Sequence, residues 1–225
     1  MTLMATEKDH MPALHDNTYQ DRRKPLTDRV DELRGRLAGV DARSLAVKAG
    51  GKFIISAEGT DEIRLKMWGE EVNIAAPDYI CKNQGKTALE LPSQALILYY
   101  LVTADGILRD QDWISFSDLP DGRFYAQAFQ GYSGNELGRR FKDDLANFVE
   151  AADIAGGRAR PLGDAAFAFE LFPRVSLLVV AWKGDEDFPS SYQVLFSGST
   201  PHYLPTDACA IAGSMLTRKI IAAAG

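Results

Sequence analysis

Hydrophobic and polar positions follow two rhythms along this chain, one helical and one of period two. Residues 1–24 follow neither; they are polar and aperiodic and predict a flexible arm. In TDRVDELRGRLAG, Val30, Leu33 and Leu37 recur at helical spacing, with Thr27 placed to cap the start and Gly39 to end it. Asp41 is placed to cap a second short helix that stops at Gly50-Gly51. The rhythm then changes. KFIIS, EIRLKMW and EVNIA read as strands. Ile63, Leu65 and Met67 alternate with Arg64, Lys66 and Trp68, which predicts one dry and one wet face, and a turn near Gly69 makes a hairpin.

LPSQALILYYLVTADG is apolar on every side and long for a strand. Pro92 suits a first helical turn, so the segment predicts a buried helix. WISFSDLPDGRFYAQAF reads as an aromatic hairpin turning at LPDG. SGNELGRRFKDDLANFVEAADIAGG predicts one long helix over 133–155, with Ser133 and Glu136 at capping-box spacing. AAFAFELF, RVSLLVVAW and YQVLFS predict three strands. The middle one is apolar on both faces and therefore central. A C-terminal helix over 206–223 closes the chain. This order is not a βαβ alternation. It predicts an α+β fold, a mostly antiparallel sheet with helices packed on it, as one domain over 25–225 with any subdomain break near 105–112.

Composition changes this picture little. Of the 225 residues, 46% are hydrophobic and 25% charged, as in ordinary globular chains. The net charge of −6 argues against non-specific binding to nucleic acid or to an anionic membrane. No apolar run approaches the roughly 20 residues of a membrane span, and the N-terminus has no signal-like apolar core, so a cytoplasmic protein is expected. The two cysteines, Cys81 and Cys209, cannot hold a four-thiolate cluster, so no cluster is bound by this chain alone; both read as buried small hydrophobes.

The candidate chemistry lies in the second half. In WKGDEDFPSSYQVLF, Asp185, Glu186 and Asp187 offer oxygen ligands or a general acid–base. Consecutive carboxylates rarely converge on one ion, so a solvated turn is the simpler reading. Glu186 is the one to test, because Phe188-Pro189 is placed to pin the loop beside Trp182, and an apolar setting raises a carboxyl pKa. His202 is the one histidine outside the N-terminal arm, and could join Glu186 or Asp187 in a mixed site. Capping or surface duty is the plainer role. The intervening strand would carry the loop and His202 to opposite ends. Ser197, Gly198, Ser199 and Thr200 near a helix start could hold an anion, or serve the turn. Arg174 could reach a carboxylate, of the Glu186 loop or of a ligand, or pair structurally. Trp113, Trp182 and Tyr203, among many aromatics, could line a pocket or fill the core. Nucleotide-binding fingerprints, a nucleophile elbow and HExxH are absent.

From residue 113 the ordered set WISFSDLPDGRFY, LFPR, AWKGDEDFPSSYQVLF and HYLP resembles an uncharacterised prokaryotic family, the domain of unknown function 3786. The resemblance spans residues 25–222. The family has no assigned activity, so the resemblance implies no role for any residue. It implies a context: anaerobic metabolism, with some relatives fused to an iron–sulfur domain like that of corrinoid proteins. Any such link here would run through an iron–sulfur or corrinoid partner. Family members often place an acid after the Leu-Phe of the last strand; Ser197 stands there in this chain. The sequence therefore reads as a small-molecule- or cofactor-binding or accessory module. Two alternatives stay open: a carboxylate- or metal-dependent enzyme centred on Glu186, and an assembly subunit without a ligand.

Overall fold

The computed structural model describes residues 25–108 and 112–225, so the N-terminal arm expected from the sequence lies outside the described residues. Helix α1 (Leu26–Leu37) buries Val30, Leu33 and Leu37, the predicted stripe. It starts one residue before the expected cap: Pro25 precedes the helix, and Thr27 lies inside it. Asp41 caps α2 (Ala42–Lys48), accepting from the backbone N–H groups of Arg43 at 3.3 Å and Ser44 at 3.0 Å.

A four-stranded antiparallel sheet follows in the order β1 (Lys52–Ile55), β2 (Asp61–Met67), β3 (Glu70–Ala75), β4 (Ile80–Asn83). Trp68 and Gly69 form the β2–β3 turn, with φ of +52° and +87°. Two positive φ values in a two-residue loop match the twist of the flanking strands. Ile63, Leu65, Met67, Val72 and Ile74 face the core. Arg64, Lys66, Glu71 and Asn73 share the other face, where Arg64 stands opposite Asn73 and Lys66 opposite Glu71. Helix α3 (Leu91–Thr103) is buried continuously from Ala95 to Leu101, as its all-round apolarity requires.

The second sheet is antiparallel in the order β5–β9–β8–β7–β6, built from β5 (Trp113–Ser115), β6 (Arg158–Ala159), β7 (Ala165–Phe172), β8 (Val175–Trp182) and β9 (Ser191–Ser197). The α+β class stands, but with two sheets where one was expected. β8 is central, as its two-sided apolarity predicts. The inner face of this sheet packs on the helices through Phe169, Leu177, Val179 and Phe196 within one core that also takes in the first sheet. Helix α7 (Thr206–Ala223) lies where the C-terminal helix was expected and packs against α3.

Two expectations fail, each for a local reason. The hairpin over 113–129 is instead one short strand, two 3-10 turns and helix α4 (Ala126–Tyr132). Ser115 and Asp118 close a capping box that ends the strand. A Cβ on Gly122 would stand 1.9 Å from the Phe116 carbonyl oxygen, so the chain folds tightly back there. Phe129 then stacks on Phe116 at 4.2 Å. The long helix over 133–155 is broken into α5 (Gly134–Phe141) and α6 (Leu145–Ile154). Lys142 takes a φ of +49°, and Asp144 caps α6 by accepting from the Asn147 N–H at 3.0 Å. Ser133 does not cap; its hydroxyl donates to the Phe129 carbonyl at 2.5 Å. Among the described residues no helix is long and apolar enough to cross a membrane.

Candidate functional site

The two sheets meet where the β2–β3 turn touches β7. The Trp68 N–H donates to the Leu171 carbonyl at 3.0 Å. Beside that junction lies a cavity of about 340 Å³. Its wall on the first sheet is the wet face of β1 and β2: Lys52, Arg64 and Lys66. Lys52 stands directly opposite Arg64, and Lys66 lies two residues along the same face. Phe172, Pro173 and Leu65 give the apolar lining, and Glu71 and Glu170 the carboxylates. Gly50 and Gly51 allow the close approach at one end. A Cβ on Gly51 would stand 2.9 Å from the Arg64 carbonyl oxygen.

A smaller cavity of about 80 Å³ adjoins it and shares Gly69 and Glu170 as lining. Arg158 and Lys219 bring two further cations. The two cavities together are lined by five cations against two carboxylates, in a chain whose net charge is −6. Arg64 bonds through Nε to Asn73 at 2.8 Å and to Glu71 at 3.2 Å. Arg158 meets Glu170 at 3.4 Å. The side chains of Lys52, Lys66 and Lys219 have no hydrogen-bonding or ion-pair partner among the described residues.

Arg174 packs beside Gly50. Its Nε would lie 2.9 Å from a Cβ on Gly50 and is buried without a hydrogen-bond partner. Its backbone is held by two hydroxyls: its N–H donates to the Tyr100 hydroxyl at 3.2 Å, and its carbonyl accepts from Ser199 Oγ at 3.1 Å. Tyr100 stacks between Phe172 at 4.3 Å and Tyr203 at 5.3 Å. Burial pushes both phenols above their ordinary pKa. The Tyr203 hydroxyl donates to the Ile107 carbonyl. His202 Nδ1 meets Asp105 Oδ2 at 2.6 Å. The Ile107 N–H, first, and His202 hold the Asp105 carboxyl below its ordinary pKa.

Arg174, His202 and Tyr203 thus gather at one end of β8 and β9. Trp182 and the acidic loop lie at the other, beyond the eight residues of β8, or roughly 25 Å of strand. Asp185 accepts from the N–H groups of Asp187 and Phe188, each at 2.9 Å, and these bonds hold its carboxyl below the ordinary value. Glu186 and Asp187 are exposed. The expected apolar pin is not there, because Phe188 is 72% exposed. Polar contacts tie the loop instead. The Gly184 N–H donates to Ser190 Oγ at 2.8 Å, and that hydroxyl donates to Asp143 at 2.7 Å. Among the described residues no three His, Cys, Asp or Glu side chains are placed to share a metal ion. Trp113 pairs with Ser197 on the outer face of the second sheet, packed against a small cluster that includes Leu178 and Val180. Ser197 and Thr200 share a buried bond at 3.1 Å.

The groove cations were missed by the sequence reading. Their signal was present in the Arg64/Lys66 alternation of β2, but nothing local says that β7 lies beside that face. No curated protein and no solved structure matches the chain. The profile of a family described as Domain of unknown function (DUF3786) matches residues 41–219, most of the chain, and the protein belongs to that family.

Proposed function

We propose that this protein is a small-molecule-binding module that takes an anionic ligand in the groove between its two sheets. One observation carries the reading: a cavity of about 340 Å³ lined by cations, two of them lysines without partners, in an acidic protein. That volume falls within the range of small-molecule sites. An anion there gains charge-assisted hydrogen bonds, while the apolar lining takes its carbon skeleton. The reading is non-catalytic. The family resemblance extends it to an accessory role beside an iron–sulfur or corrinoid protein. Cluster ligands would come from that partner, because both cysteines of this chain are buried and free.

Calorimetric titration with carboxylates and inorganic phosphate tests the site. The parent binds, and the Lys52→Gln/Lys66→Gln variant, which removes two exposed partnerless charges, loses about tenfold or more in affinity at unchanged stability. If the parent binds none of these anions, the reading is wrong.

A further inference from the structure

We infer that the groove is built for an elongated ligand with an anionic group at each end, one seated in each cavity. This rests on the anion-binding reading above and names the ligand class. The two cavities share Gly69 and Glu170, which form the waist between them. Glu170 lines both cavities, and its carboxylate ion-pairs with Arg158 of the smaller one at 3.4 Å. An anionic group at the waist would meet that carboxylate and be repelled. The cations stand on either side: Lys52, Arg64 and Lys66 in the larger cavity, Arg158 and Lys219 in the smaller.

The waist suits a neutral linker. Gly69 brings no side chain to it and is exposed. Apolar surface continues on both sides, from Phe172 and Pro173 to Ala168 and Phe169. The smaller cavity, about 80 Å³, has room for a compact head group such as a carboxylate or phosphate and little more. The ligand is therefore a linear dianion whose charged ends are separated by an apolar or neutral chain.

The test is calorimetric titration of the full chain with α,ω-dicarboxylates of increasing length, each beside the monocarboxylate of equal length. A parallel series of α,ω-bisphosphates distinguishes the head groups. The expected result is a best length at which the dianion binds about tenfold tighter than its monoanionic match. Lys219→Gln, a substitution of an exposed side chain, removes that gain. Monoanions that bind while dianions bind no tighter at any length overturn this inference and spare the groove reading. A gain that survives Lys219→Gln overturns it as well. Failure of every anion to bind overturns both.

Discussion

The backbone N–H of Trp68 donates to the carbonyl of Leu171 across the junction of the two sheets, at 3.0 Å. Trp68 sits in the β2–β3 turn and Leu171 near the end of β7, so this bond sets the turn beside the β7 residues that line both cavities. The groove exists because two independently patterned sheets are held side by side.

Gly51 is a point where the groove is sensitive to bulk. In Gly51→Ala the new methyl would press on the Arg64 carbonyl oxygen at 2.9 Å and on Leu65 Cβ at 3.3 Å. Overpacking of this kind costs about 1–3 kcal/mol. Urea unfolding should show that loss as a lower midpoint, and calorimetry should show weaker anion binding.

Glu186→Gln should change almost nothing. The side chain is exposed and lies at the strand end opposite Arg174. Stability should stay within about 0.5 kcal/mol of the parent, the usual range for such surface positions. Anion affinity should not move. A loss of binding in this variant would place the site at the acidic loop after all.

Asp105 gives a pH signature. Its folded pKa lies below the ordinary 3.8, through the Ile107 N–H and then His202. The unfolded chain therefore takes up this proton first as pH falls. The stabilising contribution is complete above 3.8 and is lost as pH drops through the lowered folded value. Urea midpoints measured from about pH 5 to pH 2 should show a shallower acid limb in Asp105→Asn than in the parent.

Both thiols should be inert in the native protein. Burial pushes the Cys81 thiol up to about 12 and raises Cys209 as well. The thiolate is the reactive form, so an alkylating reagent at neutral pH should label neither. Labelling should appear only with unfolding, read by mass spectrometry across a denaturant series.

Phe129 should be among the costliest core truncations. It stacks on Phe116 at 4.2 Å, meets Tyr132 edge-on at 5.7 Å, and its ring fills the space that a side chain on Gly213 would need. Phe129→Ala should destabilise by about 3–5 kcal/mol, measured by denaturant unfolding.

The sequence by itself determined the class of the fold and most of its elements. Where apolar residues repeat at one period over a whole segment, burial of a single face selects helix or strand, and β2, α3, β8 and α7 follow that rule. Where the deciding interaction is one cap or one tight approach, the period misleads. Asp144 breaks a helix whose apolar spacing runs on past it, and the Gly122 approach to Phe116 turns an aromatic alternation into α4. Tertiary structure alone decided the site. Lys52, Arg64, Lys66, Arg158 and Lys219 come from four elements, each on the wet side of its own pattern. A local pattern says that a charge faces outward; only the packing of β7 beside the first sheet decides which other charges it meets there.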